Sequence, residues 1–387
     1  MEFSLNDIQE EFKSTAGKFF AQKCSVAELR AMENSEMHYS PSLYKELADL
    51  GFLGLAIPEE YGGMEGSMLD LAIIVEEAGW ASLPSPFVPT LSYGILPLLQ
   101  FGTEMQKKEL LPLAGEGKIT FTGGFSEQQA HYDMRYITAK AERNGDSFVL
   151  SGNKLFVPFA ATADYMLTLA RTESNRGTGE EGLTLFLIDM KREGITVTET
   201  PSIGPDGLHE VQFNQVMVSE ADVIGTVNGG WEASQQVLQM ATALNCIEMA
   251  GVLRRAVEVT SDYVKERIQF GRPIGSFQSV QHRLADMYTI VEGGKMAAYQ
   301  AIWRLGEGLT AAREISIAKA YLSKEGQQVL VGAHQLHGGM GLDMDYPLQF
   351  CFRRFKNLQL SLGTPSVHLA TISQSMASVK ENEMSRV

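Results

Sequence analysis

The sequence has few cysteines, few histidines and no long hydrophobic run, and each shortage excludes a class of protein. The seven histidines show neither HxxxH nor Cys/His ligand spacing, so we predict no structural metal. No stretch approaches the roughly 18 consecutive apolar residues of a membrane span, and the acidic start MEFSLNDIQEEF does not have the form of a signal peptide. The three cysteines are far apart and odd in number, which argues against a disulfide framework and favours a reducing cytoplasm: Cys24, Cys246 and Cys351.

Basic residues are also scarce. The chain has 32 Lys and Arg against 47 Asp and Glu, which gives a formal net charge of −15 and a pI near 5.0. This balance argues against nucleic acid or an anionic membrane as a partner. What is present is the composition of a globular protein, with 387 residues of which 44% are hydrophobic. This length predicts two or three domains, or one large layered fold.

Residues 1–118 have the pattern of an all-helical domain. The run NDIQEEFKSTAGKFFAQKC has apolar residues at helical spacing, which predicts one buried face. SPSLYKELADLGFLGL begins with a Ser-Pro helix-entry signal, and GSMLDLAIIVEEAGWAS and PTLSYGILPLLQFG read as further helices. The residues expected on the buried face of the first helix are Ile8, Phe12, Ala16 and Phe19.

Residues 119–226 change to short β-rich runs. SFVLSG, YMLTLAR, LTLFLID and ITVTET are separated by turn signals such as Asn144-Gly145 and the GPDG of 204–207, and NRGTGEEG at 175–182 reads as an exposed loop. Residues 227–387 return to helices, beginning with about 38 residues without proline. We therefore expect an α+β fold: an N-terminal all-α domain (1–118), a middle β-barrel or sandwich (119–226) and a C-terminal four-helix bundle (227–387).

Two segments of the bundle carry candidate chemistry. In KERIQFGRPIGSFQSVQHRLADM (265–287) a long helix ends near Arg267, and a tight turn leads to a helix N-terminus beside Ser276. Free backbone N–H groups there suit a phosphate, and Arg267 and Arg272 could pair with its oxygens; the alternative is a helix corner with solvated arginines. In HQLHGGMGLDMDYPLQ (334–349) paired glycines allow close backbone approach to a ligand, or form a helix C-cap.

Together these segments resemble the acyl-CoA dehydrogenase family, flavoproteins that introduce an α,β-double bond into acyl-CoA thioesters. RIQFGRPIGSFQ is followed about 60 residues later by QLHGGMG, and a Gly-Thr lies near the end of the chain. The resemblance spans the whole sequence. Within the family, the chain resembles the two-subunit branch in particular. It implies FAD as cofactor, an electron-transfer flavoprotein or similar electron acceptor, and a homo- or hetero-tetramer.

The resemblance also implies cofactor-binding residues. Those that would hold the FAD of a neighbouring subunit are Arg267, Gln269, Phe270, Gln278, Gln335, Gly338 and Gly339, and Thr364 matches the threonine of the family's terminal Glu-Gly-Thr.

The residues for the chain's own flavin depart from the family pattern. The family's TEPxxGSD is SEQQAHYD here (126–133), in which Ser126 still offers a hydroxyl and Tyr132 replaces a small residue of the substrate pocket. The family's WIT is FVP (156–158), in which Phe156 can still pack on the flavin ring. Pro158 has neither a hydroxyl nor an N–H to offer flavin N5. His131 and Asp133 of this loop are further ionisable groups, or a solvated pair.

The catalytic base is the largest departure. The reaction needs a carboxylate to remove the α-proton while hydride leaves to the flavin. The two positions at which the family carries this glutamate are Leu362 and Ala241 here. Glu248 lies seven residues after Ala241, about 10 Å along the same helix face. It is either a base whose pKa is raised by burial, or a structural residue bonded to Arg254, Arg255 or the backbone.

Three hypotheses remain open. The chain completes the FAD site of a partner that supplies the base; or it is a self-sufficient enzyme with Glu248 as base; or it is an inactive paralogue that binds acyl-CoA or a protein. In each case Tyr132 and Leu362 are expected to line the substrate pocket, and the acyl group stays open.

Overall fold

The computed structural model describes residues 4–130, 132–174 and 178–384, which excludes His131 and the first three residues of the predicted 175–182 loop. The chain divides into two compact units. The first unit comprises Met1–Ala31, Met68–Leu83 and Thr242–Val387, and the second comprises Met32–Ser67 and Pro84–Ala241. The expected boundaries after residues 118 and 226 stay a prediction.

The architecture is helical, then β, then helical, as expected. The helices are α1 (Asp7–Lys23), α2 (Val26–Glu33), α3 (Pro41–Asp49), α4 (Met68–Trp80), α5 (Phe87–Thr90), α6 (Leu96–Phe101), α7 (Glu104–Gly115), α8 (Gly230–Glu266), α9 (Gln278–Gly306), α10 (Ala312–His337), α11 (Pro347–Leu360) and α12 (Pro365–Met384). The strands are β1 (Phe121–Gly124), β2 (Lys140–Asn144), β3 (Ser147–Pro158), β4 (Tyr165–Arg171), β5 (Leu183–Asp189), β6 (Ile195–Thr200), β7 (Leu208–Ser219), β8 (Ile268–Gln269) and β9 (Arg272–Pro273). None of the helices in the described ranges is long and apolar enough to cross a membrane.

The buried face of α1 differs from the expected one. Ile8 is 64% exposed, and the buried residues are Gln9, Ala16 and Phe20. Gln9 forms a capping box with Asn6, and its side-chain amide donates to Asp70 of α4 at 2.9 Å. A polar residue is therefore buried here because its hydrogen bonds are satisfied, which apolar spacing alone does not predict.

The sheet of the second unit has seven strands in the order β1-β4-β2-β3-β7-β6, with β5 paired to β4. The β1–β4 pair is parallel, whereas the long β3–β7 pair is antiparallel. Its register shifts between Leu150 and Gly152 and again between Lys154 and Val157. The second irregularity encloses Phe156, so a bulge positions one of the residues predicted to contact the flavin.

In the first unit α4 and α8 cross at two glycines. A Cβ on Gly79 would lie 2.3 Å from the carbonyl oxygen of Glu248, and one on Gly251 would lie 2.0 Å from that of Glu76. Glu76 is buried beside this crossing and accepts hydrogen bonds from Lys295 at 2.9 Å and Tyr299 at 2.7 Å, both on α9. The glycines thus allow close backbone contact, and the polar network joins the third helix.

Candidate functional site

The turn between α8 and α9 presents an aromatic ring and two arginines to solvent. β8 and β9 pair in this turn, and Phe270 at its tip has a φ of 55° and is 91% exposed. The guanidinium of Arg272 lies 4.2 Å from the ring centroid of Phe277. Among the residues that the structure describes, no side chain caps the N-terminus of α9, so its first N–H groups stay available to an anionic ligand.

The arrangement suits a phosphate. Arg267, Gln269 and Gln278 are exposed, and within the described ranges the Arg267 side chain has no ion-pair or hydrogen-bond partner. The first N–H groups of α9 and two guanidiniums therefore belong to the same turn.

The QLHGG segment lies at the end of α10. Gln335 is exposed, Gly338 has a φ of 58°, and a Cβ on Gly339 would meet no atom within 4 Å. His337 stacks on Tyr263 of α8 with ring centroids 4.3 Å apart, and the Tyr263 hydroxyl donates to the His337 carbonyl at 3.3 Å. Because Tyr263 lies one turn before Arg267, this contact links the two predicted cofactor segments within the first unit.

The second unit carries the residues predicted for the chain's own flavin. Phe156 has a φ of 56° and is 59% exposed, and Tyr132 is 42% exposed. The Ser126 carbonyl accepts from Leu155 N at 2.9 Å, which holds the loop of 126–130 against β3. The Pro158 carbonyl accepts from Thr122 Oγ1 at 2.5 Å. The backbone is therefore ordered here, although Pro158 has no hydroxyl or N–H.

A buried ion pair beneath these residues was missed in the sequence. Lys154 Nζ donates to Glu127 Oε1 at 2.6 Å, and both side chains are almost inaccessible. Thr138 N and Oγ1 also donate to Glu127, at 2.7 and 2.6 Å. Burial raises the pKa of Glu127, but the ammonium and these donors outweigh it and the pKa is lowered. The ion pair joins Glu127, the residue after Ser126, to Lys154, which lies two residues before Phe156. The position of Glu127 and Lys154 beside predicted flavin residues was the signal in the sequence that could have identified the pair.

Glu248 is buried in an ion pair. Arg354 of α11 donates Nε to Glu248 Oε1 at 2.8 Å, its Nη2 also bonds that oxygen, and both side chains are nearly inaccessible. Arg254 instead pairs with Glu76 and Glu77, and Arg255 lies over the Trp80 ring. Under the structural interpretation of Glu248, the bonded arginine is therefore Arg354, and not Arg254 or Arg255.

Leu362 lies in a strained turn after α11. Its φ is 59°, that of the following Gly363 is 102°, and the Leu362 carbonyl lies 2.9 Å from His368 Nε2. Thr364 Oγ1 is 2.9 Å from Ser366 Oγ. Ala241, the other position at which the family carries its base, is buried.

Backbone strain marks several of the predicted site residues. Nine described non-glycine residues have a positive φ, and three of them are Phe156, Phe270 and Leu362. Such conformations cost about 1–3 kcal/mol each and concentrate at ligand sites. Within the first unit, the exposed Phe270 ring, the open space at Gly339 and the N-terminus of α9 offer groups that suit a nucleotide.

Comparison with known proteins identifies the family of the chain. The sequence profiles of the acyl-CoA dehydrogenase N-terminal, middle and C-terminal domains match residues 6–118, 122–216 and 228–377. A 3-(aryl)acrylate reductase of Clostridium sporogenes is 29% identical over 343 residues, which cover 87% of this chain and 90% of that protein.

Solved structures of the same architecture superpose closely. Butyryl-CoA dehydrogenase of Megasphaera elsdenii has a TM-score of 0.91 at 28% identity, covering 97% of this chain and 100% of that one. The ChsE4–ChsE5 complex of Mycobacterium tuberculosis has a TM-score of 0.89 at 25% identity, with 97% and 99% covered. The FAD complex of PigA has a TM-score of 0.89 at 26% identity, with 97% and 99% covered.

The fold and the family matches together define a flavin-dependent oxidoreductase that acts on CH–CH donors. The chain belongs to the acyl-CoA dehydrogenase family.

Proposed function

We propose that this chain is one subunit of a hetero-oligomeric, FAD-dependent acyl-CoA dehydrogenase. In this proposal it completes an FAD site on a partner chain, and the partner supplies the catalytic base. The observation that carries the proposal is that both positions for the family's base hold aliphatic residues, Leu362 and Ala241, while Glu248 is paired with Arg354. A carboxylate bonded to a buried guanidinium is poorly suited to accept a substrate proton.

The residues offered to a partner support this assignment. Arg267 and Phe270 are exposed on the turn before α9, and Gln335, Gly338 and Gly339 are exposed at the end of α10. Guanidinium and backbone N–H groups bind a pyrophosphate, and an exposed phenylalanine at a positive φ offers a flat surface for stacking.

The residues that would bind the chain's own flavin are altered in ways that weaken flavin binding. FAD, when bound, supplies the hydride acceptor of the family's reaction. Ser126 can still donate a hydroxyl and Phe156 can still pack on a ring, but Pro158 offers no donor. Tyr132 adds bulk where the family has a small residue. We infer that this site binds FAD weakly or not at all.

Leu362 has a role consistent with a wall of the acyl pocket. Its side chain cannot accept or donate a proton, so it can exclude water and contact an apolar acyl group. We also infer a tetramer in the cytoplasm that passes electrons to an electron-transfer flavoprotein or a similar acceptor.

The test is the visible flavin spectrum of the purified chain, alone and co-expressed with the acyl-CoA dehydrogenase-like chain encoded beside it. The lone chain should be nearly colourless and inactive, and the co-purified complex should carry FAD. Arg267→Ala or Phe270→Ala in this chain should lower the FAD content of the complex, whereas Arg143→Ala, on exposed β2, should not. A lone chain with one FAD per chain and full turnover would show that it needs no partner.

A further inference from the structure

Lys319 on α10 is a fully buried ammonium with neutral partners. It donates to Asn245 Oδ1 at 2.6 Å and to the Leu358 carbonyl at 2.5 Å, and it lies 3.8 Å from Met249 Sδ. Within the described part of the chain no carboxylate lies within ion-pair distance of it. Burying an ammonium that no carboxylate bonds directly is costly, although the Glu248 carboxylate favours the charged form from a distance.

The Lys319 contacts belong to a closed ring of hydrogen bonds. Asn245 Nδ2 donates to Ser361 Oγ at 3.1 Å, and Ser361 Oγ donates to the Leu358 carbonyl at 3.0 Å. Lys319 therefore joins α8 to the C-terminus of α11. There the Lys319 ammonium and the Ser361 hydroxyl both donate to the free carbonyl of Leu358. The ring includes Ser361, the residue directly before Leu362.

A second contact holds the other side of Leu362. His368 Nε2 lies 2.9 Å from the Leu362 carbonyl, and His368 Nδ1 lies 3.3 Å from Ser316 Oγ. Ser316 is three residues before Lys319, so successive turns of α10 hold both flanks of the 361–363 turn. Leu362 is the residue between these two attachments, and it is the one with a φ of 59°.

We propose that Lys319 is a positioning residue that keeps the 361–363 turn in its left-handed conformation and so fixes the direction of the side chain at position 362. The purpose of this rigidity rests on the proposed function, in which Leu362 is a wall of the acyl pocket. Because the turn is held on both flanks, the side chain at position 362 has a fixed direction and so contributes a fixed wall to the pocket.

The test compares Leu362→Ala with Leu362→Gly, which remove the same packing but differ in their tolerance of a positive φ. In the otherwise unchanged chain, hydrogen exchange of the 361–364 amides should be about fivefold faster in the alanine variant, because a left-handed alanine is strained. When Lys319→Met is combined with each of these variants, the turn relaxes. The ratio of the exchange rate in Leu362→Ala to that in Leu362→Gly should then fall towards one.

Matched variants keep the result interpretable. Lys154→Met, at the other buried lysine described above, should leave the fivefold ratio unchanged, whereas Asn245→Ala should lower it by breaking the same ring. An undiminished ratio in Lys319→Met would overturn the proposal; if that variant does not fold, an undiminished ratio in Asn245→Ala would overturn it equally.

These exchange rates need neither flavin nor substrate. An undiminished ratio therefore leaves the hetero-oligomer proposal standing, and a flavin-saturated lone chain leaves the positioning role of Lys319 standing.

Discussion

Glu248 and Arg354 illustrate how strongly a single buried charge depends on its partner. Both side chains are nearly inaccessible, and the guanidinium bonds one carboxylate oxygen through two nitrogens. Removing either member breaks this buried ion pair, which is strongly destabilising in proteins. The pair therefore predicts a stability phenotype at Glu248, in addition to any effect on chemistry.

Glu248→Gln should lower the free energy of unfolding by about 3–5 kcal/mol, because it removes the carboxylate that the buried Arg354 guanidinium bonds through two nitrogens. The measurement is urea denaturation, followed by a spectroscopic signal that reports on unfolding of the first unit. Glu142→Gln, at an exposed position of β2, is the control and should change stability by less than about 0.5 kcal/mol. A stable Glu248→Gln protein that had lost turnover would instead favour Glu248 as the base.

Lys319 makes stability depend on pH. Burial lowers the pKa of Lys319 to about 8, against about 10.4 for an unfolded lysine. Between these values the unfolded chain binds more protons, so stability should rise with pH, by up to about 3 kcal/mol. Urea unfolding at pH 7.5 and 10 should show wild type gaining relative to Lys319→Met. Parallel pH profiles of the two proteins would contradict this expectation.

At the scale of elements, the crossing of α4 and α8 depends on two glycines that sequence patterns do not distinguish from others. Each faces a backbone carbonyl of the opposite helix, that of Glu248 or of Glu76. Backbone atoms cannot move aside as a flexible side chain can, so any added Cβ must separate the helices.

Gly251→Ala should therefore lower the thermal midpoint by several degrees, corresponding to a loss of about 1–3 kcal/mol or more. Gly339→Ala is the matched control, because its Cβ would meet no atom within 4 Å. Differential scanning calorimetry of both variants tests the crossing, and equal midpoints would show that the helices adjust at little cost.

Most of the helices and four of the strands could be predicted from the sequence, because periodicity and turn residues are local; no run was identified for α2 or α7. The four β-rich runs became β3, β4, β5 and β6. Three strands of the seven-stranded sheet were missed: β1 contains two glycines, β2 is mostly polar and exposed, and β7 carries a left-handed Gln215 that interrupts its alternation. The two-residue strands β8 and β9 were also missed. Strand order depends on pairings between residues far apart in the chain, which no local pattern encodes.

The residues of the candidate site stay a prediction, and the sequence could propose only those that lie in local motifs. Arg267, Phe270 and the paired glycines lie in short motifs, so a resemblance can identify them. Lys319, Arg354 and His368 were missed because each acts through residues distant in sequence. The Lys319–Asn245 bond joins positions 74 residues apart, and only the folded chain brings them together.

At the scale of the whole molecule, the proposal divides the cofactor residues into two sets. The outward set would bind the FAD of a partner chain, and the altered set would bind the chain's own flavin. The outward set is exposed and includes Arg267 and Phe270; the altered set includes Tyr132 and Pro158. An enzyme that formed two equivalent FAD sites per pair of chains would have no reason for this difference.

The complex should accordingly contain one FAD for every two chains. The measurement is the flavin absorbance of the denatured complex against total protein concentration, with the subunit ratio taken from mass spectrometry. Leu362→Glu is an added variant that should leave this stoichiometry unchanged, because position 362 is proposed to face the acyl group. One FAD per chain would contradict the division into two sets.

The Glu248–Arg354 pair also has a consequence for biosynthesis. The two residues are 106 positions apart, so at about 5–20 residues per second the ribosome needs roughly 5–20 s to add the second after the first. During that interval the largely apolar segment around Glu248 is synthesised without Arg354, so its buried environment cannot yet form. Elongation speed between these codons, and the chaperones that meet the nascent segment, therefore influence how much of this protein a cell obtains in folded form.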